Sequence, residues 1–338
     1  MNYVKNIFPL TDTKTLLNTD KKKGLIRGLR NIRKKNIENA YTILKFMCYN
    51  TNMKSYKKNT LVLPIVKWVG GKRQLLEDIN NVLPQSFNTY FEPFLGGGAV
   101  LFNIQPKKAI VNDLNKELIN TYNVVKSNVE ELINNLSKHK NESEYFYKLR
   151  DIDRTDEFKE LSNIDKASRF IYLNKTCYNG LYRVNSSGQF NSPFGNYKNP
   201  NIVNAPTLKA VSEFLNCNNI KFYSNDFEEI LKMAKKGDFV YLDPPYDPIS
   251  ETSNFTGYNE SGFNRESQVR LKNMCDELDK KGVKFLLSNS ATDFIINLYS
   301  DNPNYTIKQI SAKRYINCQA NKRGSVKEVL IYNYGNKD

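Results

Sequence analysis

Lys236-Gly237-Asp238-Phe239-Val240-Tyr241-Leu242-Asp243-Pro244-Pro245-Tyr246 is the stretch that decides the fold. A turn-prone Lys-Gly-Asp leads into four consecutive apolar residues, the pattern of a strand buried on both faces of a parallel sheet. Two prolines then forbid the strand to continue, because proline has no N–H to give to the ladder. Asp243 to Tyr246 therefore stand at the carboxyl edge of a sheet, where open α/β folds bind their ligands.

A carboxylate, a proline carbonyl and an aromatic ring at such an edge suit chemistry on the exocyclic amine of a nucleobase. The amine's lone pair is delocalised into the ring, which makes it a poor nucleophile. Hydrogen bonds from its hydrogens to Asp243 and to the Pro244 carbonyl would localise the lone pair and draw off positive charge as a bond to carbon forms. Pro245 keeps the turn rigid, and Tyr246 would stack on a base lifted out of the duplex. Four residues alone also fit a proline-ended strand with a capping aspartate and a packed tyrosine, so the remainder of the chain decides.

Upstream, Thr89-Tyr90-Phe91-Glu92-Pro93-Phe94 reads as a strand that meets Leu95-Gly96-Gly97-Gly98 and the helix start Ala99-Val100-Leu101-Phe102. The next strand, Ala109-Ile110-Val111, ends at Asn112-Asp113 before a helix from Lys116 to Val125. Glycines let a backbone approach a ligand. Asp113, 15 residues after Gly98, stands near the distance at which an acidic side chain takes ribose hydroxyls. Helices are expected over 129–136, 145–150 and 167–173. From Asn174 to Pro200, Lys175, Arg183 and Lys198 are interleaved with Tyr178, Tyr182, Phe190, Phe194 and Tyr197 in a Gly- and Asn-rich setting. That mixture suits base edges and phosphates, and equally a surface loop with its own small aromatic core.

A strand over 220–223 precedes Ser224-Asn225-Asp226-Phe227, where Asp226 reads as a helix cap or a ligand group. Beyond the prolines come a polar loop over 250–264, a helix over 265–281, a buried strand over 285–287 and a helix over 294–299. Strands over 305–310 and 326–332 read as a closing antiparallel pair. Strand and helix alternate throughout, so the economical architecture is α/β: a mainly parallel sheet with helices on both faces.

With 338 residues there is room for one large α/β domain and an added module. No apolar stretch is long enough to cross a bilayer and no leader pattern opens the chain, so a soluble cytoplasmic protein is expected. Cys48, Cys177, Cys217, Cys275 and Cys318 show no paired short spacing, which argues against a disulfide framework or a zinc site. The single histidine, His139, leaves little scope for imidazole chemistry. The net charge of +15 is unevenly spread: residues 1–60 hold 14 Lys/Arg against 3 Asp/Glu, and the rest 36 against 32. Most of the excess thus belongs to a basic extension over 1–56, and the body must meet a polyanion through a local face. The Asn- and Lys-rich composition also resembles that of an AT-rich genome, so charge alone says little.

Taken in order, Lys67-Trp68-Val69-Gly70-Gly71-Lys72-Arg73, Phe91 to Gly98, Asn112-Asp113, Tyr178-Asn179-Gly180-Leu181-Tyr182-Arg183 and Asp243-Pro244-Pro245-Tyr246 resemble the Dam-type DNA adenine-N6 methyltransferases. Ser192-Pro193-Phe194-Gly195 and Asn254-Phe255-Thr256 complete the likeness. The resemblance implies a Rossmann-like S-adenosylmethionine-dependent methyltransferase domain over 57–334, with an inserted DNA target-recognition region over 140–215. It implies S-adenosylmethionine contacts from Trp68, Lys72, Phe94, Gly96, Gly98, Asp113, Asp226 and Asp243, and no metal. An indole face beside a sulfonium is reasonable, since aromatic faces attract cations. It implies that Arg183 reads a guanine of GATC in double-stranded DNA, flanked by Tyr178, Asn179, Leu181 and Pro193. Restriction-modification, with a cognate endonuclease as functional counterpart, is the expected setting, with housekeeping methylation and a phage or mobile element left open by the sequence. Cytosine-N4 methylation and a catalytically inactive DNA-binding regulator on the same fold are the alternatives.

Overall fold

The chain divides into Met1–Lys57 and Lys58–Asp338. A computed structural model describes residues 58–248, 263–313 and 325–335. The basic extension and Asn254-Phe255-Thr256 lie outside the described residues.

The strands are β1 (Tyr90–Glu92), β2 (Lys108–Asn112), β3 (Asn219–Tyr223), β4 (Phe239–Leu242), β5 (Lys284–Ser290), β6 (Thr306–Lys313) and β7 (Ser325–Tyr332). They form one sheet in the order β3-β2-β1-β4-β5-β7-β6. Pairing is parallel from β3 through β5, whereas β7 runs antiparallel to both β5 and β6. The chain starts in the middle at β1, moves out to β3, then returns to β4 beside β1. The order reverses between β1 and β4, and the crevice at such a switch point is the natural ligand site.

All four residues of β4 are fully buried, and their alternation explains why the run is apolar without a break. Phe239 and Tyr241 face one core, with Tyr90, Ala109, Val111, Leu286 and Leu330. Val240 and Leu242 face the other, with Phe91, Phe285, Leu287, Val329 and Ile331. On the first face lie α1 (Ala99–Ile104), α2 (Lys116–Ser127), α3 (Val129–Leu136), α5 (Asn163–Thr176) and α6 (Ala205–Cys217), with α4 (Ser143–Asp151) packed against α5. The second is covered by α7 (Phe227–Lys232), α8 (Arg265–Lys280) and α9 (Asp293–Ser300). The expected Rossmann-like sheet with helices on both faces is the observed one. Among the described residues no helix is long and apolar enough to cross a membrane.

Within the expected recognition region of 140–215, residues 205–215 belong to α6, whose Leu208, Val211, Phe214 and Leu215 are buried in the main core against α2 and β3. A separate small core of Phe146, Tyr172, Leu173, Cys177 and Phe190 lies where α4 and α5 meet the loop that follows them.

Candidate active site

Asp243 follows the last residue of β4, and its side chain is 20% exposed. Lys72 reaches it from the turn Lys72–Gln74, whose approach is set by Gly70 in the left-handed region (φ +76°). The lysine is buried, and its ammonium donates to Asp243 Oδ1 at 2.7 Å and to the Gly70 carbonyl at 2.7 Å. It also stands 4.7 Å from the centre of the Tyr246 ring. Burial pushes the Asp243 carboxyl above the usual carboxylate range, and Lys72 pulls it back. Lys72 thereby favours the ionised form, the one that accepts hydrogen bonds at both oxygens.

The turn beyond Asp243 is pinned at Pro245, Tyr246 and Asp247. Gln268 Nε2 of α8 donates to the Pro245 carbonyl at 2.8 Å, and Asn289 Nδ2 holds Gln268 Oε1 at 3.1 Å. The Tyr246 hydroxyl donates to Glu328 Oε2 at 2.8 Å, and burial, with the Asp243 and Glu328 charges, pushes the phenol well above its usual range. Asp247, fully buried, accepts from Arg265 Nε at 3.0 Å and from the Thr292 hydroxyl at 2.8 Å. Among the described residues nothing donates to the Pro244 carbonyl.

Beside this turn, across the switch point, lies the glycine loop. Gly96 (φ +48°) and Gly98 (φ +67°) adopt backbone conformations that side chains disfavour, and a Cβ at Gly96 would come within 2.6 Å of Trp68 Cδ1. Asp113 supports the loop from β2: its Oδ2 accepts from the Gly96 amide and its Oδ1 from the Asn115 amide, both at 2.9 Å. Burial pushes Asp113 up against those two donors. Each oxygen keeps a lone pair for a further donor. Trp68 does not stand alone beside the loop, because its indole is stacked on Tyr182 at 5.3 Å and 21°. Phe94 packs against Phe227 at 5.5 Å and edge-on to Phe263 at 5.6 Å. Asp226 caps α7 by accepting from the Glu228 amide at 2.9 Å, and pairs with Arg270 at 3.1 Å.

The loop after α5 folds into a short hairpin. Tyr178 N–H donates to the Pro193 carbonyl at 2.8 Å, Asn191 N–H to the Arg183 carbonyl at 2.9 Å, and the Ser192 hydroxyl to the Leu181 carbonyl. A cleft of about 200 Å³ opens on it, lined by Tyr178, Leu181, Arg183, Asn191, Ser192 and Pro193. Four of the five expected recognition residues thus share one wall system. Asn179 is outside the lining, exposed in the tight turn at φ +55°.

Several structural partners carried no role in the sequence reading. Buried Asn112 donates to the Pro93 and Asn225 carbonyls, each at 3.0 Å, tying together the carboxyl ends of β1, β2 and β3. Buried Asn174 exchanges two 2.8 Å hydrogen bonds with the Lys67 backbone, fastening the segment that carries Trp68 to the root of the hairpin. Leu114, next to Asp113, is 65% exposed at the ligand edge, and its apolar side chain was the one legible signal of the set.

The model of the D12 class of N6 adenine-specific DNA methyltransferases matches residues 68–316, from the Trp68 segment through β6. The chain belongs to that family. A type II methyltransferase of Lactococcus lactis subsp. cremoris is 47% identical over 287 residues, covering 84% of this chain and all (100%) of the relative. A second type II methyltransferase, from Methanocaldococcus jannaschii, is 43% identical over 293 residues, 81% of this chain and 99% of the relative. The DNA adenine methylase of Escherichia coli K12 is 34% identical over 279 residues, covering 81% and 95% respectively. This D12-class enzyme is an N6 adenine DNA methyltransferase, and its substrate is DNA.

Proposed function

We propose that this methyltransferase flips adenine out of GATC in double-stranded DNA and methylates N6 directly from S-adenosylmethionine, in the cytoplasm, as the modification partner of a cognate restriction endonuclease. The observation that carries the chemistry is the pairing of an Asp243 carboxylate, favoured in its ionised form by Lys72 at 2.7 Å, with the adjacent Pro244 carbonyl that no described residue engages. Both acceptors lie at one strand end, as an amine with two hydrogens requires. When bound, S-adenosylmethionine supplies an electrophilic methyl on a sulfonium. The glycine loop fits it, being a stretch of bare backbone held open by Asp113 where a Cβ would collide with Trp68. We assign Asp113 to its ribose, exposed Leu114 and Phe94 to its apolar walls, and Asp226 to the rim.

Lys72 acts on Asp243 as much as on the donor. Asp243 and the Pro244 carbonyl draw the amine hydrogens, raise its nucleophilicity and receive the positive charge that develops as the carbon bond forms; the surplus proton leaves through Asp243 or solvent. Tyr246, its hydroxyl fixed by Glu328, presents a ring for the everted base. Arg183 lines the hairpin cleft, which supports assigning it to guanine through two parallel hydrogen bonds. The identity with relatives named DNA adenine methylase supports GATC, and the type II names support a restriction-modification setting.

Labelled donor, purified enzyme and GATC duplexes test the proposal. Label should appear as N6-methyladenine, protect the duplex from a nuclease blocked by GATC methylation, and vanish with Asp243→Ala while DNA binding persists. N4-methylcytosine as product, or equal labelling of duplexes lacking GATC, would refute it.

A further inference from the structure

The recognition hairpin has a thin ladder of its own. Bridges pair Cys177 with Phe194 and Val184 with Phe190, and its tip is closed by the Asn185 N–H to Gln189 carbonyl bond at 2.8 Å. Two-stranded ribbons of this size are marginal by themselves, and a slip of one residue would turn Arg183 to the opposite face. Its register needs support from outside the ribbon.

Phe190, opposite Val184 and one residue from the partner of Arg183, is held by both of its backbone groups. Its N–H donates to Asp153 Oδ2 at 2.8 Å, and its carbonyl accepts from Arg154 NH2 at 3.0 Å. Two neighbouring side chains from the turn Ile152–Arg154 thus imitate a third strand. Behind them stands Arg169 of α5, 2% exposed, which pairs with Asp153 at 2.8 Å and donates to the Leu149 and Arg150 carbonyls at 2.8 and 2.7 Å. Arg154 NH1 is tied in turn to Asp153 at 2.9 Å and Asp151 at 3.0 Å. A buried guanidinium is costly to keep and is best accounted for where it fixes a position. None of these groups bonds to Asp243, Lys72 or the glycine loop among the described residues.

We infer that Asp153 and Arg154, seated on buried Arg169, clamp the register of the hairpin and so govern base discrimination without touching a base. They are positioning residues for target reading, and the inference rests on the assignment of Arg183 as a guanine reader. Of Asp153, Arg154 and Arg169, Arg154 is the most exposed, at 30% against 8% and 2%.

The test compares Arg154→Met, Arg154→Lys and the wild type on a GATC duplex and on duplexes with one base pair changed. In Arg154→Met the ratio of kcat/KM on GATC to that on altered sites should fall by at least about tenfold, with the donor KM unchanged. Arg154→Lys should recover part of the ratio, since an ammonium can donate to the Phe190 carbonyl but cannot span both aspartates as well. A merely structural role would lower active enzyme alike on every duplex and leave the ratio where it was; an unchanged ratio overturns the clamp. Amide exchange at Phe190 supplies a readout independent of the target sequence. It should quicken in Arg154→Met, and unaltered exchange also overturns the clamp. A wild-type enzyme that shows no preference for GATC would instead remove the assignment of the target, leaving the exchange result to judge the clamp.

Discussion

Replacing Lys72 with Met removes an ammonium but keeps a stem of similar reach in a position only 6% exposed. Asp243 then loses a charge partner at 2.7 Å, while the burial and the Glu328 charge that oppose its ionisation remain. Removing one member of a buried ion pair costs about 3–5 kcal/mol. At ~1.4 kcal/mol per decade, that corresponds to a loss of about 10²-fold to a few times 10³-fold in kcat/KM at neutral pH. Lys72 holds the carboxyl down, so without it Asp243 takes a proton at higher pH, and a protonated acid is a poorer acceptor for the amine hydrogens. The acidic limb of the kcat/KM profile should therefore move to higher pH in the variant, and part of the lost activity should return as the pH is raised. Label transfer to GATC duplexes, measured across the pH range for both enzymes with the donor KM determined at each pH, reads both effects. If the donor KM rises while the acidic limb stays in place, Lys72 serves the donor alone and the electrostatic reasoning is wrong.

Arg183→Ala should lower the preference for GATC over single-base variants by about 1–3 kcal/mol while sparing donor binding; competition between duplexes measures it, and an unchanged preference removes Arg183 from the reading role. Gly96→Ala places a Cβ 2.6 Å from Trp68 Cδ1 at a φ of +48°, so the loop must shift at a cost of about 1–3 kcal/mol. Donor affinity measured by calorimetry should weaken in proportion, with duplex binding retained; unaltered donor affinity would place the donor elsewhere. His139, bonded to the Tyr145 and Ser168 hydroxyls at 2.8 Å each, is lowered by burial to about 4. The unfolded chain protonates near the ordinary histidine value of 6.5, so the contribution of the neutral ring is intact above that pH and is lost as pH falls toward 4. The loss is at most about 1.4 kcal/mol per pH unit, less for partial solvent access. Urea midpoints should drop further between pH 7 and 5 in the wild type than in His139→Gln, and equal drops would refute the assignment.

The sheet was legible because each strand announces itself locally. Phe239 to Leu242 is apolar without a break since helices cover both faces, and the prolines fix where it stops. α6 went unassigned although Pro206 in its first turn and Leu208, Val211, Phe214 and Leu215 at helical spacing mark it. Its apolar face continues the composition of an Asn- and aromatic-rich stretch, and a reading that follows composition runs across the boundary. The residues expected to read the target share one cleft for a related reason: Tyr178 to Pro193 lie within a single hairpin, so residues near in sequence are near in space.

The parts that hold the turn after β4 left no such mark. Tyr246 bonds to Glu328, 82 positions away, and the pairing exists only because β7 enters antiparallel beside β5, putting Glu328 opposite Ser290 at the carboxyl edge. Glu328 follows Lys327 at the head of the apolar run Val329 to Tyr332 and reads as a polar strand end, and its burial comes from the sheet rather than from its neighbours in the chain. Asn174 is the same case, a helical amide whose partner is the backbone of Lys67, 107 residues earlier. Chemistry-bearing groups sit on edge turns, where proline and glycine punctuate the sequence; the polar groups that aim them come from whichever elements the topology brings alongside. Trp68 shows the consequence. Its motif matched a cofactor contact, yet its stacking on Tyr182 makes it also the joint between the glycine loop and the hairpin, so substitutions at Trp68 should disturb donor binding and target discrimination together.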